Sequence, residues 1–216
     1  MISVKEEEEF YKDLFLKDKE YANDYDAVVK MCNIKESDIF IDLGANLGQE
    51  IEYFSKKGVH IESYEPHPYF FWKLHDKYAD HKNITVLPVA VCNRTCVSNF
   101  FFKKHPSSWG ENHSSGGASL ERKSNHDPMG SYVRVMCRDI VEVLQRFDKI
   151  KILKIDVEGS EYKILRRMIE TGLITKPDFI FLEDHQRKIV DLESFLKDKE
   201  YVYNYVISNN IKLYKW

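Results

Sequence analysis

The apolar residues of this chain gather in short runs separated by longer stretches of mixed character, and this alternation predicts an α/β fold. The runs are predicted to be buried strands at 39–43, 59–64, 84–89, 150–157 and 179–182. The stretches between them carry apolar residues at helical spacing and are predicted to be helices at 47–57, 69–78, 139–146 and 161–171. Strands that alternate with helices favour a parallel sheet covered by helices on both faces.

The two ends of the chain depart from this alternation. Residues 1–33 are acidic and lysine-rich with widely spaced apolar positions, and we expect them to form an N-terminal helical cap. After a predicted helix at 189–196, apolar residues at 201–207 and 211–216 flank a Ser-Asn-Asn turn, a pattern typical of an antiparallel hairpin. The chain is therefore predicted to be one domain, 1–216, with an open, mostly parallel, Rossmann-like sheet of seven strands and an antiparallel C-terminal hairpin.

One long segment, 103–132, is rich in Ser, Gly, His and Asn and poor in aliphatic residues. It is predicted to be an insertion between two further strands at 97–102 and 133–136. Loops of this length within a compact domain are commonly lids or binding loops. We therefore expect an acceptor-binding lid, closed by Trp109 or by the Gly-Gly-Ala-Ser run at 116–119, with a plain surface insertion as the alternative.

Composition excludes several classes of protein. The net charge of −3 and the isoelectric point near 6.3 give no basic excess of the kind that binds nucleic acid or an anionic membrane. No apolar stretch has the length of a membrane span, and the first ten residues are acidic rather than signal-like, so we expect a cytoplasmic protein. The cysteines include no C-x-x-C pair, which favours reduced thiols over a zinc site or a disulfide framework. They are Cys32, Cys92, Cys96 and Cys137.

The most informative motif is the turn that follows the first strand, from Asp42 to Gln49. A dinucleotide-binding turn has glycines spaced G-x-G-x-x-G so that its backbone can approach a pyrophosphate. Counted from Gly44, the second and third of these positions are Asn46 and Gln49, so side chains stand where the phosphates would come close. The turn instead suits a phosphate-free cofactor with an amino-acid tail, and S-adenosylmethionine (SAM) meets that description.

SAM would use this turn and the end of the second strand. Its carboxylate would accept hydrogen bonds from N–H groups where the helix from Leu47 begins, and its ammonium would meet Asp42 or the Gly44 carbonyl. Glu65 ends the second strand about 20 residues beyond the turn, at the position where an acid holds ribose hydroxyls. Each such charge-assisted hydrogen bond is worth about 1.5–3 kcal/mol.

A second group of acids lies where the fourth strand ends. Asp156 and Glu158 are two residues apart, which on an extended chain directs both side chains to one face. Glu161 falls in the first turn of the following helix, where we expect it to complement the helix dipole. The carboxyl ends of parallel strands meet at one edge of a sheet, so the end of the next strand should join this rim. That strand ends in Glu183, Asp184 and His185.

Several motifs in order along the chain resemble those of the FkbM-type SAM-dependent methyltransferases. They are FIDLGANLGQ at 40–49, YEPHP at 64–68, LPVAV at 87–91 and LKIDVEGSEY at 153–162. The resemblance covers most of the chain and implies a class I methyltransferase fold with methyl transfer to a hydroxyl of a sugar, glycan or polyketide. The predicted cofactor-binding residues are Asp42, Gly44, Ala45, Asn46, Gly48, Gln49, Glu65, Pro66, Ala90, Val91 and Asp156.

The acids at the rim are the candidates for catalysis. Alignment of the donor carbon with the acceptor oxygen can contribute roughly 7–11 kcal/mol, whereas a general base contributes about 10²–10⁴-fold in rate, so positioning should dominate. The predicted catalytic residues are Asp156, Glu158 and His185, with Glu158 or His185 as the base that takes the hydroxyl proton. The carboxylates of Asp156, Glu183 and Asp184 also form a set of hard ligands suited to Mg²⁺, which would orient two vicinal hydroxyls.

The leading functional prediction is a SAM-dependent O-methyltransferase with a sugar or glycan acceptor. One alternative is an N- or O-methyltransferase of small non-sugar acceptors. Another is a SAM-binding module without catalysis that serves as a partner in an assembly. A nicotinamide-dependent oxidoreductase is disfavoured by the side chains at Asn46 and Gln49.

Overall fold

The computed structural model describes residues 24–102, 117–123, 132–185 and 189–216. In chain order the strands within these ranges are β1 (Ile39–Leu43), β2 (His60–Tyr64), β3 (Ile84–Leu87), β4 (Ala90–Cys92), β5 (Cys96–Phe101), β6 (Tyr132–Asp139), β7 (Ile150–Ile155), β8 (Pro177–Leu182) and β9 (Leu213–Lys215). The central sheet has six strands in the order β3-β2-β1-β7-β8-β9, and every neighbouring pair is parallel.

Helices cover both faces of the central sheet. They are α1 (Tyr25–Cys32), α2 (Gln49–Ser55), α3 (Pro68–Tyr78), α4 (Ile140–Gln145), α5 (Glu161–Glu170) and α6 (Leu192–Asn209). One buried apolar cluster joins the sheet to α4, α5 and α6, and a second joins the other face to α1, α2 and α3. The predicted α/β architecture with helices on both faces is therefore confirmed.

The predicted single sheet of seven strands is not what the structure shows. Strands β4, β5 and β6 form a separate sheet in the order β4-β6-β5, in which β4 is parallel and β5 antiparallel to β6. This small sheet has its own apolar core, which includes Phe100, Phe102 and Val135. Short strand patterns predict that a segment is extended, but they do not say which sheet it joins.

The predicted C-terminal hairpin is wrong. Residues 201–207 lie inside α6, and the last strand, β9, pairs parallel to β8. The β-branched and aromatic residues at 201–207 favoured a strand. However, Phe195, Val202 and Val206 are spaced seven and four residues apart, so a helix buries all three on one face, and packing in the core outweighs local propensity.

The structure describes only parts of the predicted N-terminal cap and of the predicted insertion. Of the predicted N-terminal cap, residues 1–23 lie outside the described ranges, and α1 packs Val28 and Cys32 into the core. Of the predicted insertion, Trp109 and Gly116 lie outside them, whereas residues 117–123 are described. Among the described helices there is none with the length and apolar character required to cross a membrane.

Candidate cofactor and catalytic site

A cavity opens between the carboxyl ends of β1 and β7, where the order of the sheet reverses. Ligands bind at this reversal point in open α/β sheets. The cavity measures about 610 Å³, counting the part open to solvent, which lies within the range of small-molecule sites. Its polar lining comes from Gly44, Asn46, Glu65, His67, Asp156 and Glu158. Its apolar lining comes mainly from Phe70, Ala90, Val91, Phe100, Ala118 and Leu120.

The turn after β1 is held tightly against the neighbouring strands. The N–H groups of Gly44 and Ala45 donate to the carbonyl of Tyr64, at 2.9 and 3.2 Å. Gly44 has a φ of +89°, and a Cβ added there would stand 1.8 Å from the backbone oxygen of Asp156. Only glycine fits this position, because the backbones of the two turns approach each other so closely.

Glu65 lies at the end of β2 with its buried carboxylate directed into the cavity wall. Its Oε2 accepts a hydrogen bond from the N–H of Asn46 at 2.6 Å, and its Oε1 accepts one from the N–H of His67 at 2.7 Å. Burial raises the pKa of Glu65 to about 7, although these two backbone N–H groups act in the opposite direction. Each oxygen of a carboxylate can accept a second hydrogen bond, so Glu65 can still receive donors from a ligand.

Lys154 in β7 is a central residue of the site that the sequence analysis missed. Its side chain is only 2% exposed, and its Nζ lies 3.2 Å from Asp42, 3.2 Å from the Gly44 carbonyl and 3.3 Å from Asp156. Burial by itself lowers the pKa of Lys154, but the carboxylates of Asp42, Asp156 and Glu50 raise it well above its ordinary value. The lysine therefore remains an ammonium ion in the interior.

The position of Lys154 changes the role expected for Asp42. Asp42 and the Gly44 carbonyl are the groups predicted to meet the ammonium of the cofactor, yet in the structure both accept from Lys154. Asp42 is fully buried and does not line the cavity. The available signal was a lysine within the apolar run of β7, since a buried charge requires a partner of opposite sign.

The remaining predicted cofactor residues divide into two groups. Those that line the cavity are Gly44, Asn46, Glu65, Pro66, Ala90, Val91 and Asp156. Those in the described ranges that do not line it are Asp42, Ala45, Gly48 and Gln49. Gly48 donates its N–H to the Ala45 carbonyl at 2.7 Å and stabilises the turn from behind.

The acids that follow β7 and β8 gather around the imidazole of His185. Its Nε2 lies 3.2 Å from Glu183, 3.4 Å from Glu158 and 3.8 Å from Asp156. Its Nδ1 lies 2.9 Å from Glu161, whose carboxylate is fully buried and also accepts the N–H of Gly159. Glu161, assigned by the sequence analysis to the helix dipole, thus also orients His185.

Of the residues His185, Glu158 and Asp156, the first two are charged at neutral pH and the third can exchange a proton near neutrality. Burial lowers the pKa of His185, but hydrogen bonds with Glu161 and Glu183 raise it to about 11, so the imidazole carries a proton at neutral pH. Burial opposes ionisation of Glu158, yet His185 and Lys123 lower its pKa overall. For Asp156, burial raises the pKa to about 7, against the attraction of Lys154.

The described part of the insertion closes one side of this acid cluster. Ser119 donates its hydroxyl to the backbone carbonyl of Glu158 at 2.6 Å, and Lys123 forms an ion pair with the Glu158 carboxylate. Glu158 has a φ of +62°, a left-handed conformation that favours glycine. A strained backbone held by neighbouring contacts is common at functional sites.

The set of residues predicted to bind a metal is only partly brought together. Asp156 and Glu183 both face His185, but Asp184 accepts from Lys199 at 2.8 Å and from the Tyr162 hydroxyl at 3.2 Å. The group that could converge on an ion is Asp156, Glu158 and His185, whose ligand atoms lie within 4.8 Å of one another. This group includes an imidazole nitrogen, whereas Mg²⁺ prefers oxygen ligands.

The structure has a parallel sheet with helices on both faces and a cavity at the point where the strand order reverses. These features define a Rossmann-like α/β protein with a site of the kind that binds cofactors. A family model described as the methyltransferase FkbM domain matches residues 42–205. The chain belongs to the FkbM methyltransferase family, and the resemblance found in its motifs is confirmed. A search of curated proteins found no match.

Proposed function

We propose that this protein is a SAM-dependent O-methyltransferase that acts on a hydroxyl of a sugar or glycan. Membership of the FkbM family supports methyl transfer. The observation that carries the finer proposal is the presence, in one cavity, of a buried acid at Glu65 and a second acid at Asp156 whose pKa is about 7. The first suits ribose hydroxyls, and the second suits removal of a proton from an alcohol.

The lining of the cavity supports a nucleoside with an uncharged base and no phosphate. Glu65 is fixed by two backbone N–H groups, so its oxygens are oriented before a ribose arrives. The apolar side chains of Val91, Phe100 and Leu120 offer a surface for an adenine ring. The side chain of Asn46 lines the turn where a dinucleotide pyrophosphate would require glycine.

Asp156 is the base that the geometry favours. The base predicted from the sequence is Glu158 or His185, but His185 already holds a proton at neutral pH and Glu158 is an ion-paired, weakly basic carboxylate. Asp156 lines the cavity, and a general base works best when its pKa lies near the operating pH. When bound, SAM supplies an electrophilic methyl group; Asp156 then accepts the proton of the acceptor hydroxyl as the oxygen attacks in line.

The acids of the cavity wall would also bind the acceptor. A sugar presents several hydroxyl donors, and the carboxylates of Asp156 and Glu158 on the cavity wall can accept from neighbouring hydroxyls. Placement of the acceptor oxygen in line with the methyl group is expected to supply the larger share of the rate enhancement, roughly 7–11 kcal/mol.

No step is assigned to a metal ion. The centre of the three carboxylates is taken by the Nε2 of His185, and Asp184 is engaged by Lys199. The residues present therefore fit Mg²⁺ poorly, and we expect turnover to persist after treatment with EDTA. Loss of activity in EDTA that returns on addition of Mg²⁺ would reinstate the metal.

Two measurements test the proposal. Calorimetry with S-adenosylhomocysteine and with NAD⁺ should show binding of the first only. Incubation with labelled SAM and a panel of saccharides should then give a product heavier by one methylene group. Saturation by NAD⁺ alone would overturn the cofactor assignment. Cofactor binding without turnover on any hydroxylated acceptor would favour the non-catalytic module, and turnover on amines that survives Asp156→Asn would favour N-methylation.

A further inference from the structure

A second group of reactive side chains lies in the small sheet, apart from the acid cluster. Cys92 ends β4, Cys96 begins β5, and Cys137 in β6 pairs directly with Cys96 across the antiparallel ladder. The three thiols are reduced, and their sulfur atoms all lie within 4.8 Å of one another. We propose that this three-cysteine cluster binds a thiophilic cation of the Zn²⁺ type.

The spacing of the sulfur atoms suits a single ion. A Zn–S bond is about 2.3 Å long, so two thiolates on one tetrahedral ion lie about 3.8 Å apart. Sulfurs already within 4.8 Å of one another need only small side-chain adjustments to reach that distance. Cys92 and Cys96 are separated by three residues, which falls within the spacing of about two to four residues that zinc-binding cysteine pairs use.

The fold brings the cluster together through one tight turn and one register. The turn at 93–95 returns the chain from β4 to β5, and the β5–β6 register places Cys137 opposite Cys96. Cys92 donates its thiol proton to the Arg94 carbonyl at 2.9 Å. Binding would release the proton of each thiol to the solvent. Cys96 is half-buried, whereas the other two cysteines are buried, so water can complete the coordination from the side of Cys96.

Packing in an apolar core is a good explanation for a single buried cysteine. It is a weaker explanation for three cysteines whose sulfur atoms converge. Cysteine is often a small hydrophobic residue, and Cys32, the last residue of α1, fits that description because it is buried in the apolar cluster of α1, α2 and α3. The absence of a C-x-x-C pair in the sequence disfavours a zinc site, but the third ligand comes from a strand about forty residues away and only the sheet register reveals it.

An ion at this position would have a structural consequence for the cavity. β4 contributes Ala90 and Val91 to the cavity lining, and Cys92 follows them directly. A metal bound by Cys92, Cys96 and Cys137 would join β4, β5 and β6 at one point and fix the wall that they form. The inference does not depend on the identity of the cofactor.

The first test is titration of the purified full chain with Cd²⁺, followed by ultraviolet absorption. A sulfur-to-metal charge-transfer band should grow to an equimolar end point and disappear when Zn²⁺ competes. Carboxylates and imidazole do not give this band, so the His185 cluster cannot imitate it. The variant Cys96→Ser should lose the band, whereas the matched control Cys32→Ser should keep it.

A second measurement avoids any folding defect of a variant. The native wild-type chain is treated with iodoacetamide with and without Zn²⁺, and modified peptides are identified by mass. Zn²⁺ should slow alkylation of Cys96, the half-buried thiol, by tenfold or more. Absence of the charge-transfer band, a band of equal strength in Cys96→Ser, or alkylation of Cys96 that ignores Zn²⁺ would each overturn the inference.

Discussion

The acid within β1 and the acid after β2 differ from the acids after β7 and β8 in the groups that hold them. Asp42 faces the buried ammonium of Lys154, and Glu65 accepts from two backbone N–H groups. These donors are fixed by the strands and turns that carry them. The first group of acids is therefore positioned by the fold itself, and we expect its members to act on stability and on cofactor affinity.

After β7 and β8, three carboxylates instead share one nitrogen of the His185 imidazole. The Nε2 of His185 lies 3.2–3.8 Å from Glu183, Glu158 and Asp156. Within this second group Asp156 is the residue whose pKa is raised to about 7 and which also lines the cavity. The role of an acid at a strand end is thus not set by its position alone, because its burial and its partners together decide whether it stays ionised or exchanges a proton.

The largest effect that separates the two groups is expected for Asp156→Asn. Removal of the proposed base should lower kcat by about 10²–10⁴-fold at saturating SAM, measured by release of labelled methyl product. The matched control is Asp184→Asn, since Asp184 follows the neighbouring strand β8 but contacts Lys199 and Tyr162 and does not line the cavity. The control should retain a kcat close to that of the wild type; equal losses in both variants would remove the distinction.

The next largest effect is expected on stability, through Asp42 of the first group of acids, and the substitution Lys154→Met tests it. The substitution leaves Asp42 buried without its cation, so the free energy of unfolding in urea should fall by about 3–5 kcal/mol. Lys151→Met in the same strand is the control, because Lys151 pairs with the partly exposed Asp178 and should lose only about 0–1 kcal/mol. Adding Asp42→Asn to Lys154→Met should restore part of the loss. Equal destabilisation by both lysine variants would contradict this account.

Much of the architecture could be predicted from the sequence because it depends on local patterns. Apolar runs located most of the central strands, and the positions of Glu65 and Asp156 at strand ends placed both at the cavity. The strand predicted at 201–207 was wrong because the strand-like composition of this segment competes with a helical spacing that only the buried core favours.

The features that could not be predicted depend on register between distant strands. Lys154 lies directly opposite Asp42 in the β1–β7 pair, 112 residues away along the chain. The pairing of Cys96 with Cys137 is of the same kind. The sequence predicts that His185 shares a rim with several acids, but it shows neither how closely they approach the imidazole nor how deeply the imidazole is buried, and these decide that it is an imidazolium.

A smaller effect is expected when Glu65 is replaced by glutamine. Gln presents an NH₂ group where the carboxylate accepted donors, so the affinity for S-adenosylhomocysteine should fall by about tenfold to a hundredfold, as measured by calorimetry. Glu62→Gln is the matched control, since Glu62 is a buried acid of the same strand that pairs with Arg146 and does not line the cavity. Similar losses in both variants would mean that charge within β2, rather than contact with the ribose, sets the affinity.

The smallest expected effect is the pH dependence of that affinity. In the proposed complex, ribose hydroxyls would donate to the ionised form of Glu65, whose pKa is about 7 in the unliganded protein, so binding would remove its proton. The affinity for S-adenosylhomocysteine should therefore rise by about tenfold from pH 6 to pH 8 and then level off. Calorimetry across this range measures the change.

The same pKa of Glu65 predicts that the free energy of unfolding changes with pH in the opposite direction to the cofactor affinity. Measurement of both therefore tests the assignment of this pKa to Glu65. The pKa of Glu65 lies above its ordinary value of 4.5, so between about pH 4.5 and 7 the folded chain holds a proton that the unfolded chain has released. The contribution of Glu65 to the free energy of unfolding should thus decrease as the pH rises through this window, while cofactor affinity increases. Glu65→Gln should flatten both trends. A pH dependence of affinity that persists in this variant would assign the proton to Asp156, the other cavity acid with a pKa of about 7, and so place the proton-exchanging acid in the second group alone.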